Sequence, residues 1–327
     1  MTDKHTRRSF VKGALAATGA ASLAMSLEEQ VLLAQSAGGE GKSQAAMAPG
    51  SQNTLPTGKL GDLEISRLII GGNLIAGFAH SRDLVYISKL LKHYFTEEKV
   101  LETLEIAEAH GINAINTNPG ATKVIQRYRT ERKSKLRWIV QGYPSKKDKL
   151  TGVKRSIEAG ADAIYIQGNV ADRLVTAGDL DVIDEVVRYI QAQGLPAGVG
   201  GHNLETPAAC EKAGLQPDFY VKTLHRSDYW SFRRADQPVD VMESRHDNFW
   251  CVDPAATIEF MKKIERPWIA YKVLAAGAIH PRVAFPHAFN GGADFVLAGM
   301  FDFQIDEDAR IARQALKKVN RARPWRA

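Results

Sequence analysis

Five times along this chain a helical pattern ends in glycine, takes a short polar step, and runs into an apolar stretch. The segments are EAHGINAINT, EAGADAIYIQG, AQGLPAGVGG, KAGLQPDFYVKTL and NGGADFVLAGM. In each, glycine stands where a helix C-terminus needs a left-handed backbone. The apolar run that follows is continuous rather than alternating, as in a strand covered on both faces. Eight such strands are predicted: 68–72, 114–117, 137–142, 163–167, 197–201, 219–224, 268–274 and 295–298. Helical patterns lie between them. Thr96 is placed to cap a helix carrying Glu97 and Glu98 in its first turn, and Val182, Val186 and Ile190 share a stripe on a helix from about Leu180 to Gln193. Strand and helix in alternation imply parallel pairing through right-handed crossovers. Eight units in one domain predict an α/β fold, a single closed (β/α)8 TIM barrel, with function in the loops after the strand C-termini.

Domain boundaries follow from the N-terminus. Thr6-Arg7-Arg8-Ser9-Phe10-Val11-Lys12 matches the twin-arginine export pattern, and a weakly apolar Gly/Ala segment follows it from Gly13 to Leu27. That segment is too short for a stable membrane span. Residues 1–36 are therefore expected to be a signal peptide, 37–54 a disordered Gly/Ser/Gln/Ala linker, and 55–327 the barrel. The expected location is periplasmic or extracellular, with the twin-arginine translocase as a partner during export. Net charge is only +6, the basic run Arg127–Arg137 reads as a solvated helix and loop, and no pattern of aromatics suited to nucleobase stacking is found, so no nucleic-acid partner is expected. Cys210 and Cys251 are too few for a disulfide framework; one bridge or two free thiols both remain open.

The predicted mouth is rich in amides, imidazoles and lysines. The first strand leads to Asn73, His80, Arg82 and Asp83; the second to Asn116 and Asn118; the third to Gln141 and Tyr143; the fourth to Gln167 and Asn169. His202 and Asn203 follow the fifth strand, Lys222 and His225 end the sixth, Lys272 lies on the seventh, and Asp302 follows the eighth. His202 and His225 end adjacent strands, which makes them the best candidates for a divalent metal, with His246, Asp247, Cys251 and Asp253 as loop residues of suitable type. Lys272 precedes the Gly/Ala-rich stretch of WIAYKVLAAGAIHP, where phosphate binding and Schiff-base chemistry are both open. A long insertion after the sixth strand carries Tyr229, Trp230, Phe232, Phe249 and Trp250, suited to a lid, a sugar-stacking surface or a subunit contact.

The order of these segments, from about Leu55 to Leu316, resembles the aldo/keto reductase superfamily. LPTGKLGDLEISRLIIGGN resembles that family's opening hairpin and first strand, GINAINTNPG its second-strand motif, GVGGHNLE its fifth, WIAYKVLAAGAI its seventh and GADFVLAGM its eighth. The resemblance implies the same barrel. It also implies a tyrosine acid supported by aspartate, lysine and histidine over NADP, and here this sequence departs. The aspartate position falls on Asn116, the lysine position near Gln141 or Gly142, and the histidine position on Gln167; no tyrosine follows in NPGATKV, and Tyr128 lies further on in a helical pattern. The eighth-strand loop, GMFDFQIDEDAR, offers Asp302, Asp306, Glu307 and Asp308 where the family places groups for an adenosine phosphate.

Three functions are consistent with these residues. The first is an exported enzyme on a small polar carbonyl or carbohydrate-like substrate, without the usual hydride transfer. His202, His225, Lys272 and Asn116 would be its catalytic residues, and Asn73, His80, Gln141, Gln167, Asn203, Lys222 and Trp230 its substrate contacts. The second is an NAD- or NADP-dependent oxidoreductase with an unconventional acid. The third is a non-catalytic binding barrel.

Overall fold

The computed structural model describes residues 54–81, 84, 86–234, 236 and 248–327. The expected export signal and nearly all of the expected linker, Arg82, Asp83, His246 and Asp247 lie outside the described residues.

The chain opens with an antiparallel hairpin, β1 (Thr57–Leu60) and β2 (Leu63–Ser66), turning through Gly61 at φ 58°. Eight parallel strands then close a barrel: β3 (Leu68–Gly71), β4 (Ala114–Thr117), β5 (Arg137–Gly142), β6 (Ala163–Ile166), β7 (Ala197–Gly201), β8 (Phe219–Thr223), β9 (Trp268–Tyr271) and β10 (Phe295–Ala298), with β10 pairing β3. The five junction glycines, Gly111, Gly160, Gly194, Gly214 and Gly292, all have positive φ, between 73° and 104°. A side chain there would be strained, so each glycine ends its helix and turns the chain into the next strand.

Among the described residues, ten α-helices surround the barrel: α1 (Ile87–Tyr94), α2 (Glu97–Ala109), α3 (Thr122–Glu131), α4 (Thr151–Glu158), α5 (Gly168–Thr176), α6 (Leu180–Ala192), α7 (Glu205–Lys212), α8 (Pro254–Met261), α9 (Pro281–Asn290) and α10 (Ile305–Lys317). Thr96 caps α2, its hydroxyl accepting from Lys99 N. Arg127 on α3 pairs with Glu97, Glu98 and Glu131, so the basic run contributes to a solvated face of paired charges. None of the helices among the described residues is long and apolar enough to cross a membrane.

Two apolar layers result. Alternate strand residues Ile69, Ile139, Tyr165, Phe219, Val221, Ile269 and Phe295 fill the barrel, and Leu60 and Ile65 of the hairpin close its N-terminal end. The other strand faces pack against the helices. At the N-terminal end, Arg321 and Arg323 pair with buried Asp294, and Trp325 lies between the Arg67 and Arg321 guanidinium groups. A shallow depression there, lined by Lys59, Asp218, Glu265 and Trp325, holds none of the predicted site residues. The strand C-termini, where those residues were expected, lie at the other end.

Candidate active site at the mouth of the barrel

The strand ends carry two kinds of polar group. In the first, every donor and acceptor is already matched within the protein. The Lys222 side chain is buried, and its three ammonium hydrogens have three acceptors: His202 O at 2.8 Å, Thr223 O at 3.1 Å and Thr223 Oγ1 at 2.8 Å. Predicted as a substrate contact, Lys222 instead ties the ends of β7 and β8 together, and burial lowers its pKa. His225 is similar. Its Nδ1 donates to Arg226 O at 2.8 Å, and its Nε2 accepts from Trp250 N at 2.8 Å and Cys251 N at 2.9 Å. Burial pushes this imidazole down to about 4. With both nitrogens engaged by backbone, His225 has no lone pair for a metal, and the predicted His202–His225 metal pair does not form. Among the described residues no cluster of three or more His, Cys, Asp or Glu side chains offers another metal position. Cys210 and Cys251 are both buried free thiols, and burial pushes Cys210 up to about 12.

Asn116 belongs to this matched group. Its Nδ2 donates to Ile139 O at 3.1 Å, and its Oδ1 accepts from Gln141 Nε2 at 3.2 Å and from Tyr165 Oη at 3.3 Å. Gln141 in turn accepts from Tyr143 Oη at 2.6 Å. Gln167 caps α5, its Oε1 accepting from Val170 N at 3.1 Å. Tyr128 is helical, as its pattern predicts, and donates to Glu108.

The second kind centres on β7 and β9. His202 is buried at the end of β7, and its Nδ1 is 2.9 Å from Asp172 Oδ2. Asp172, on the buried face of α5, also accepts from the backbone N–H groups of His202 and Asn203 and from Thr206 Oγ1. This carboxylate fixes the ring with its proton on Nδ1, leaving Nε2 as a lone-pair acceptor. Burial pushes His202 down to about 4, outweighing the opposing pull of Asp172, so the ring is neutral at pH 7. Nε2 makes no hydrogen bond among the described residues.

Lys272 ends β9 with φ 59°, the left-handed region that costs a non-glycine residue about 1–3 kcal/mol. The bend turns its side chain across the mouth. Nζ lies 3.7 Å over the Trp250 ring and 3.2 Å from His80 Nε2, with no carboxylate partner among the described residues. Burial lowers its pKa to about 7. The preceding residue, Tyr271, points its hydroxyl inward. That oxygen is buried with no hydrogen-bond partner, and burial raises its pKa well above the usual phenol value. Its ring is 5.4 Å from the His202 ring and 5.9 Å from Lys272 Nζ.

The remaining predicted contacts are scattered. Asn73 is exposed, and its carbonyl accepts from Phe78 N in a turn. Asn203 offers its backbone to Asp172. Trp230 is 86% exposed on the insertion, whereas Tyr229, Phe232, Phe249 and Trp250 pack around His225. His80, Lys272 and His202 do come together, joined by Tyr271, Asp172 and Trp250. Of these, Tyr271 and Asp172 were missing from the predicted set. The signal for Tyr271 was its place beside Lys272 at a strand end. Asp172 had only its place among apolar neighbours, in GNVADRLV.

The eighth-strand side is acidic where the resembled family would place groups for an adenosine phosphate. Asp302 already accepts from Tyr94 Oη at 2.6 Å and Lys99 Nζ at 3.2 Å, and the first turn of α10 holds Asp306, Glu307 and Asp308. Burial pushes Asp308 up to about 7, and Glu307 pairs with Arg282. An added phosphate there meets carboxylates rather than free cations.

No protein-family model matches the chain, and no curated protein matches it. Among solved structures it is similar to a "putative aldo-keto reductase" from Pseudomona aeruginosa, with a TM-score of 0.55 and 17% identity over 81% of this chain and 98% of that one. A second structure described in the same terms, from the same organism, gives a TM-score of 0.53 and 17% identity over 80% and 95% of the two chains. The chain therefore has the barrel fold of these aldo-keto-reductase-like proteins, and its chemistry has to be argued from its own residues.

Proposed function

We propose that this chain is an exported enzyme acting on the carbonyl group of a small polar substrate, with Lys272 as the reacting amine. The observation that carries this reading is the setting of Nζ. It rests on an aromatic face beside an imidazole nitrogen, with no carboxylate among the described residues to hold its charge. The lowered pKa leaves a large fraction of the amine neutral, and so nucleophilic, near pH 7. In the step proposed, the Nζ lone pair adds to the carbonyl carbon and the C–O π pair moves to oxygen, which takes up a proton. Nζ gives up both its protons, the second leaving with the hydroxyl as water while the nitrogen lone pair forms the C=N bond, and an imine remains on Lys272. Atoms balance with one water released, and no hydride donor takes part.

The test is reductive trapping. Purified protein is incubated with small aldehydes and ketones and borohydride, and peptides are mapped by mass spectrometry. Adduct mass on Lys272, abolished in Lys272→Ala and Lys272→Arg, is expected. An empty Lys272 peptide across the panel ends the reading. A nicotinamide-dependent reductase using Tyr271 as its acid is the second reading, favoured by the unpartnered phenol alone. Saturable quenching of protein fluorescence by NADH or NADPH would support it against the acidic start of α10.

Export rests on the Arg7-Arg8 pattern. Cell fractionation should find wild type outside the cytoplasm and the Arg7→Lys, Arg8→Lys double variant inside it; equal distribution removes the assignment.

A further inference from the structure

Two polar groups with opposite unmet needs lie on neighbouring rings in this mouth, their centroids 5.4 Å apart. The Tyr271 hydroxyl has a proton to donate and no acceptor. The His202 Nε2 has a lone pair and no donor, because Asp172 holds the proton on Nδ1. Gly168 shows how closely the two converge. A Cβ at residue 168 would collide with Tyr271 Oη and come within 2.7 Å of His202 Cε1 and 2.9 Å of Nδ1. The first residue of α5 is thus kept bare where a phenol tip and an imidazole edge meet. Within the protein neither atom satisfies the other, and a buried hydroxyl left unpaired is costly enough to call for a partner.

We propose that Tyr271 Oη and His202 Nε2 form a receptor for a hydroxyl group of the substrate, which makes that substrate a hydroxycarbonyl compound. A hydroxyl accepts one hydrogen bond and donates another, so it completes both residues at once. A simple ketone or a carboxylate cannot do so, since neither donates to Nε2. Lys272 Nζ stands 5.9 Å from the Tyr271 ring, so a carbonyl at Lys272 and a hydroxyl at the receptor belong to one small molecule. Tyr271 is partly exposed as a residue although its hydroxyl is buried, and the proposed approach to the pair is from the mouth. The inference rests on the Lys272 reading and adds to it the chemistry that selects the substrate.

Hydroxyacetone and acetone differ by the one group in question. Their rates of borohydride trapping on Lys272 are compared as a ratio, normalised to the same ratio on a free lysine amide, which removes the difference in intrinsic electrophilicity. Sites built to pair a substrate hydroxyl discriminate strongly against its absence, so wild type should exceed the free amine by at least about tenfold. Tyr271→Phe and His202→Gln should each bring the ratio down toward that of the free amine. Tyr271→Phe removes only an unpartnered oxygen, so its melting temperature should equal or exceed that of wild type and its ratio reads the site rather than the fold. Adducts forming on wild type without preference for hydroxyacetone overturn the receptor and leave the Lys272 reading standing. A preference undiminished in both variants also overturns it. No adduct with either ketone overturns the Lys272 reading, and the receptor with it.

Discussion

His202 and His225 end neighbouring strands, both are buried, and burial pushes both to about 4. Lys222 and Lys272 make a second such pair, each lowered by burial. Yet the members of each pair differ in what they leave open. His225 has two backbone N–H groups on one nitrogen and a carbonyl on the other, whereas His202 keeps Nε2 unbonded. Lys222 has three oxygen acceptors, whereas Lys272 has an imidazole nitrogen and an aromatic face. Residue type and pKa direction are shared, so neither separates a structural group from a reactive one. The separation lies in unmatched hydrogen-bonding capacity aimed at the mouth. By that criterion the matched half, Lys222, His225 and Asn116, is held by the fold, and the open half, Lys272, Tyr271 and His202, is the half proposed to meet a substrate.

The largest effect that would break this division is on the matched side. His225→Ala strips the partner from Trp250 N, Cys251 N and Arg226 O at once. Buried backbone groups left unpaired cost about 1–3 kcal/mol each, so stability should fall by roughly 3–5 kcal/mol once some are re-hydrated. Urea unfolding followed by fluorescence measures this. The same variant should loosen Trp250 from Lys272 and slow trapping as a secondary result. If His225→Ala unfolds like wild type and only loses reactivity, the two halves have been assigned the wrong way round.

That division also marks where sequence reading stops. The barrel was legible because the glycine junctions mark helix ends and the strands are continuous apolar runs; four of the eight predicted strands match their observed bounds. The end of β9 was not. It was placed at residue 274, but the strand stops at Tyr271 because Lys272 turns left-handed without a glycine to signal it. The same bend hid the site. Tyr271 read as one more apolar strand residue, and its inward hydroxyl depends on contacts from β6 and β7 that only closure of the barrel creates. Asp172 was missed for a related reason. A carboxylate on the buried face of a helix looks like a flaw in the pattern until the backbone N–H groups of residues 202 and 203 arrive to donate to it. His202, His80 and Lys272 could be listed from the sequence, but which histidine was already occupied could not.

A smaller effect, opposite in sign, sharpens the comparison from the open side. Burial lowers the Lys272 pKa from 10.5, the ordinary value of the lysine amine, to about 7 in the folded chain. Below pH 7 both folded and unfolded chains carry the proton, and folding bears the cost of the buried charge. As pH rises from about 7 to about 10.5 the unfolded chain holds the proton and the folded chain does not, so this residue's contribution to stability increases through that window. Lys272→Met removes the charge and keeps an unbranched apolar stem against Trp250. It should stabilise the protein by about 1–3 kcal/mol at pH 6, after allowance for the lost cation–π contact, with the gain shrinking toward zero by about pH 10.5. Paired urea titrations of wild type and variant at the two pH values measure the difference directly. A variant less stable than wild type at pH 6 would mean that Lys272, like Lys222, is held by the fold rather than tolerated by it, and the contrast between the two lysines would be lost.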